Sequence, residues 1–212
     1  HKNGSSIPPD QFIVLAESSG LIDKLDQQML QQSCKAINTL KGIGIHVPIS
    51  VNVAGNEIIR PNYFDQFKAL LEEEGVPNEM IELEITESQF IKEKSTINKH
   101  LSVLKTLGVR VNIDDFGTGY SSLAYLATLS VSTIKIDHSF VWRMEDSEKD
   151  WKILKMIIEL GNSLGLNVIA EGIETERQKE HLLALGCGDG QGYLFAKPMS
   201  LEDTINWIQS GL

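Results

Sequence analysis

Two adjacent carboxylates, Asp114 and Asp115, stand where a short apolar stretch runs into a glycine-punctuated turn, Gly117-Thr118-Gly119. Val111 and Ile113 alternate with Asn112 and Asp114, the period of two expected of a strand over 110–114. Neighbouring side chains on a strand point apart, so both acids can converge on one point only where the backbone bends. A pair of divalent cations would reward such a bend, because hard cations take oxygen ligands and one carboxylate can bridge two of them. Asn52, Glu84, Lys135 and Glu171 also fall at or near the C-terminal ends of separate predicted strands.

Each of these residues has an ordinary reading when it is taken alone. The Asp pair could be a solvated acidic turn, Glu84 a surface strand residue, and Lys135 an ion-pair partner for Asp137 or Asp114. Asn52 could cap the turn that follows it, Glu171 and Glu174 could serve the next helix N-terminus, and Gln191 could be a turn residue. Their joint placement argues otherwise. Carboxylates, an amide and a lysine, with no histidine in ligand spacing, make an oxygen donor set suited to Mg²⁺ or Mn²⁺ rather than Zn²⁺.

The elements that must position these groups alternate along the chain. Helices are predicted over 9–19, from a cap at Asp23 to about residue 40, and over 62–74, 94–107, 123–129, 147–164, 175–185 and 201–210. Strands are predicted over 47–53, 81–85, 110–114, 133–136, 167–170 and 192–195. Strand–helix alternation with short connections means a parallel sheet covered by helices. A barrel gathers the C-terminal ends of its strands around one mouth, whereas an open sheet spreads them along a crevice. Glu82 and Glu84, Asn112 and Asp114, and Lys135 and Asp137 share one strand face, opposite the aliphatic residues. A barrel mouth lined by cation ligands is therefore expected. No linker or repeat interrupts the chain, so one domain over 1–212 is expected.

Composition narrows the function classes. Among 212 residues, 42% are hydrophobic and 23% charged, ordinary globular usage. A net charge of −10 argues against bare electrostatic binding of nucleic acid, so no DNA binding is expected. An anionic substrate held through divalent cations is still compatible with it. No apolar run approaches the roughly 20 residues of a membrane-spanning helix. Cys34 and Cys187 lack metal-ligand or redox spacing and read as buried thiols in a reducing compartment.

Six ordered blocks carry a family resemblance: VNVA at 51–54, ELEITES at 82–88, IDDFGTGYSSLAYL at 113–126, KIDHSFV at 135–141, IAEGIET at 169–175 and GCGDGQGYLFAKPM at 186–199. Together they resemble the EAL-domain family, which hydrolyses cyclic di-GMP to linear pGpG, and the resemblance runs from residue 1 to the end of the chain. It implies an α/β, TIM-barrel-like (β/α) fold, two divalent cations (Mg²⁺ or Mn²⁺) and the metal residues Asn52, Glu84, Asp114, Asp115 and Glu171. By motif, Lys135 matches the water-positioning lysine and Glu87 the glutamate that holds the DDFG loop. Glu174 and Gln191 match further active-site positions. The resemblance also implies cyclic di-GMP as partner and fusion to upstream sensory or GGDEF-type domains in a parent protein, either cytoplasmic or the cytoplasmic part of a membrane-anchored sensor. A homodimer is expected from the open strand edge beside 47–53 that an incomplete barrel leaves.

The chain departs from the family pattern at its start. The Glu-Ala-Leu motif that names the family lies on a strand upstream of a His-rich turn, and residues 1–10 resemble the segment after that turn. The domain is therefore expected to be N-terminally incomplete, without the first two family strands, and to hydrolyse slowly or not at all on its own. An inactive receptor or interaction module is the rival reading. A barrel aldolase with Lys135 as Schiff base is a second rival, disfavoured because flanking carboxylates keep a lysine protonated. Ala54, where the family often has Ser, and Gly188 are smaller departures that touch no matched ligand.

Overall fold

The computed structural model describes residues 9–88, 94–119 and 123–211. Helices α1 (Pro9–Ser19) and α2 (Ile22–Gly42) precede β1 (Ile49–Asn52). Helices α3 (Gly55–Ile58) and α4 (Tyr63–Glu74) then lead through a 3-10 turn to β2 (Ile81–Thr86). The middle of the chain holds α5 (Lys94–Thr106), β3 (Arg110–Phe116), α6 (Leu123–Leu126), β4 (Thr133–Ile136) and α7 (His138–Arg143). It closes with α8 (Glu148–Ser163), β5 (Asn167–Ala170), α9 (Glu176–Ala184), β6 (Asp189–Gly190) and α10 (Leu201–Gln209).

All neighbouring strands are parallel, and their order in the sheet is the order of the chain, β1 to β6. A doubly wound sheet reverses its order at a switch point, whereas an unbroken order is the winding of a (β/α) barrel. Among the described residues the sheet has six strands, with β1 and β6 at its ends. Because all the strands are parallel, their C-terminal ends lie on one side, which is where Glu84, Asp114 and Glu171 lie.

In the central strands β2, β3 and β4 both faces are largely buried, as a helix-covered parallel sheet requires, whereas β1 and β6 at the ends are more exposed. Ile81, Leu83 and Ile85 of β2 and Val111 and Ile113 of β3 form one cluster with Leu101 and Leu104 of α5 and Leu154 and Ile158 of α8. Burying each such side chain stabilises by about 1.5–3 kcal/mol. The alternate residues Glu84, Asn112 and Lys135 are also buried, so each needs a polar partner. Cys34 and Cys187 are buried free thiols.

Three local expectations change. The predicted strand over 192–195 is a turn, and β6 forms earlier, with Asp189 opposite Ile169 and Gly190 opposite Ala170. The cause is close backbone approach at Gly192, where a Cβ would lie 2.2 Å from the Ile173 carbonyl oxygen. Asp23 does not cap α2. The helix starts at Ile22 with no side-chain cap, and Asp23 in its first turn pairs with Arg60 instead. Strand β3 runs on to Phe116, and its register against β4 shifts between Ile113 and Phe116.

Candidate active site

Lys135 organises the site. It lies on β4, all four residues of which are buried, and is itself 5% exposed. Its ammonium donates to Glu84 Oε2 at 2.8 Å and Asp114 Oδ1 at 3.0 Å, and lies 2.7 Å from Glu171 Oε1. Three donors meet carboxylates from the ends of three other strands. Burial lowers the lysine pKa, but the hydrogen bonds to Glu171 and Glu84 outweigh it, so Lys135 is held more firmly protonated than usual. Burial raises Glu171, which Lys135 opposes and the charges of Asp114 and Glu84 reinforce.

The bend required for two adjacent acids to converge is present. Asp115 adopts a left-handed backbone, φ 53°, at the point where β3 loses its register. Asp tolerates this region better than most residues. As a result one carboxylate oxygen each from Asp114, Asp115 and Glu171 falls within 4.8 Å of the others. This all-oxygen set fits a hard divalent cation. Burial raises the Asp115 carboxyl above its ordinary range, helped by Asp114 and Asp137 and opposed by Lys135 and His138.

Glu87, 2% exposed, accepts from the backbone N–H of Gly117 at 2.8 Å and of Gly119 at 3.0 Å. It thereby ties the end of β2 to the turn after Asp115. Residues 120–122 of that turn lie outside the described residues. Gln191 donates to Glu171 Oε1 at 2.7 Å, so Glu171 is shared between an amide and the lysine. Thr175 and Gln178 form a capping box at α9, and Gln178 Oε1 also accepts from the Glu174 backbone N–H at 2.8 Å. The segment from Glu171 to Thr175 is thereby fixed at its far end.

Two matched residues stand apart from the lysine. Asn52 is exposed at the end of β1, level with Glu84 in the register, and among the described residues it makes no hydrogen bond to the acidic centre. Glu174 is exposed and lines a cavity of about 690 Å³ with Glu171, Gln191, Trp142, Tyr193 and Lys197. A second hollow, about 540 Å³ between α2, α4 and β1, contains none of the matched residues. Asp137, offered by the sequence as a partner for Lys135, instead caps α7 through the Ser139 N–H and lies 3.0 Å from His138 Nδ1. Trp142, one helical turn beyond His138, borders the site and carries no sequence motif that marks it. Only its spacing from His138 on a short helix hints at a shared face.

The EAL-domain model matches residues 1–198. The cyclic di-GMP phosphodiesterase NbdA of Pseudomonas aeruginosa is 38% identical over 211 residues, covering 99% of this chain and 27% of NbdA. The oxygen sensor protein DosP of Escherichia coli is 35% identical over 207 residues, covering 97% of this chain and 26% of DosP. The chain thus spans about a quarter of the length of these relatives. Among solved structures, the PaMucR phosphodiesterase in complex with c-di-GMP superposes with a TM-score of 0.91 at 36% identity, covering 96% of this chain and 83% of that one. Matched along nearly its whole length in sequence and in fold, the chain belongs to the EAL-domain family.

Proposed function

We propose that the acidic centre hydrolyses cyclic di-GMP to linear pGpG. The reading is supported most by one observation: Asp114, Asp115 and Glu171 converge beside a fully paired, protonated Lys135 in a chain of this family. Asn52, Glu84, Asp114, Asp115 and Glu171 would hold two divalent cations, Mg²⁺ or Mn²⁺. Bound there, the cations would supply a deprotonated water and neutralise the phosphodiester oxygens. Hydrolysis forms a bond from the water oxygen to phosphorus and breaks the bond to the 3′-oxygen, which leaves with a proton.

Lys135 acts in this scheme as a donor and not as a base or Schiff-base amine, because its raised pKa keeps it charged. All three of its protons face carboxylates, so it must release one of them before it can orient a water. Gln191 holds Glu171, Glu87 holds the loop that follows Asp115, and Glu174 faces the cavity that takes part of the nucleotide. The domain works within a longer cytoplasmic polypeptide that carries sensory or GGDEF-type domains, in line with the length of its relatives. The test is chromatographic detection of pGpG after the longer polypeptide is incubated with cyclic di-GMP and Mn²⁺, with Asp114→Asn in the same polypeptide as control. Binding of cyclic di-GMP without product would replace hydrolysis with a receptor role.

A further inference from the structure

We propose that Trp142 is a positioning residue for Glu171, acting through its indole N–H. Trp142 Nε1 donates to the carbonyl oxygen of Gly172 at 2.9 Å, so α7 is fastened to the residue directly after Glu171. Gly172 has φ +72°, and a Cβ there would meet His138 Cβ at 2.5 Å and Trp142 Nε1 at 3.1 Å. The turn and the helix are therefore packed too closely for any other residue. The His138 ring lies 4.3 Å from the indole at 63°, which fixes the indole orientation.

The remaining bonds around Glu171 show what the indole adds. The Glu171 N–H donates to Ile136 O at 3.1 Å, anchoring the residue to β4. The Ile173 N–H donates to Gln191 O at 3.1 Å, and the Gln191 side chain reaches Glu171 itself. The Gly172 carbonyl shares a planar peptide with the Ile173 N–H, so Trp142 holds the acceptor side of the peptide whose donor side Gln191 holds. Without the indole bond that peptide keeps only the Ile173–Gln191 hydrogen bond, and the Glu171 carboxylate loses one of the restraints that keep it near Asp114 and Asp115. Trp142 is 49% exposed, so its ring is not a core requirement, and beyond the His138 contact the N–H is the group that reaches the Glu171 turn by a hydrogen bond.

The test separates the N–H from the ring. Trp142→Phe keeps an aromatic face toward His138 and removes the donor, whereas Trp142→Ala removes both. In chelator, the amides of Ile173 and Glu174 are expected to exchange with deuterium about tenfold faster in Trp142→Phe, with the urea midpoint unchanged. Mn²⁺ affinity, read by calorimetric titration, is expected to fall about tenfold, the usual effect of losing a group that orients a ligand. High Mn²⁺ should then restore kcat. Wild-type exchange and Mn²⁺ affinity in Trp142→Phe would overturn the proposal, as would a defect confined to Trp142→Ala, which would assign the role to the ring. The cation and kcat measurements rest on the function proposed above and the exchange measurement does not. Faster exchange in a protein that neither binds Mn²⁺ nor makes pGpG would therefore sink that function and leave the positioning role standing.

Discussion

Replacing Lys135 with Met should destabilise the protein sharply in chelator and make it depend on divalent cations. The lysine is the cation that, among the described residues, pairs with Glu84, Asp114 and Glu171 together. Those side chains are only 9%, 15% and 13% exposed, so water cannot replace the lost charge. Removing one partner from a buried ion pair costs about 3–5 kcal/mol, a large part of a total stability of about 5–15 kcal/mol. With a urea m-value of about 2 kcal/mol/M, the midpoint should fall by about 1.5–2.5 M near neutral pH. The loss should shrink in acid, where the crowded carboxylates take up protons. A divalent cation should offset it, by about 2.7 kcal/mol at one hundred times its dissociation constant. The same variant should bind Mn²⁺ more tightly than wild type, because the ammonium no longer competes for the carboxylates, yet it should make no pGpG. Equal urea midpoints for the two proteins in chelator would refute the triple ion pair.

Three further outcomes are expected. Asp115 and Glu171 have folded pKa values above their ordinary ones, so their contribution to stability is present in acid and lost as pH rises through the raised values; Mg²⁺ should accordingly raise the melting temperature more at pH 8 than at pH 5, and an equal shift at both would count against cation binding by these groups. Glu87→Ala should leave the Gly117 and Gly119 N–H groups unpaired, cost about 2–4 kcal/mol and lower turnover without weakening Mn²⁺ affinity to the degree that Asp114→Asn does, whereas wild-type hydrogen exchange at these two amides would show that the loop does not depend on it. Burial and the charge of Asp26 push Glu57 up to about 7, although Arg60, which it shares with Asp23, pairs with it. Stability should therefore fall as pH rises from the ordinary glutamate range through about 7, and Glu57→Gln should flatten that slope in urea titrations.

The strand ends that carry the site were readable because their charges interrupt runs of buried aliphatic residues. Glu84, Asp114 and Lys135 sit at the same parity as one another and opposite Leu83, Ile113 and Ile134 in a pattern that needs no tertiary knowledge. What decides the pairing is cross-strand register, and that is not local. Lys135 reaches Glu84 across 51 residues, and the sequence alone could not choose Asp114 over Asp137 as its partner. A backbone bend at the Asp pair followed from the demand for convergence, yet its form, a left-handed Asp115, and its place in the β3–β4 register shift did not. The last strand was displaced because Gly192 packs on Ile173, a contact between segments that no periodicity reports. Trp142 was missed for the same reason, since the hydrogen bond that marks it runs to a backbone carbonyl 30 residues away.

The most direct measurement compares the full-length polypeptide with its Asp114→Asn variant. Both are incubated with cyclic di-GMP at limiting Mn²⁺, and linear pGpG is quantified by chromatography. If Asp114 joins Asp115 and Glu171 in holding the cations, the wild type should convert the substrate and the variant should lose at least about a hundredfold in rate, the upper end expected for disturbing a metal's surroundings. Undiminished turnover by Asp114→Asn, or turnover by the wild type that persists in chelator, would contradict a cation-dependent site at these carboxylates.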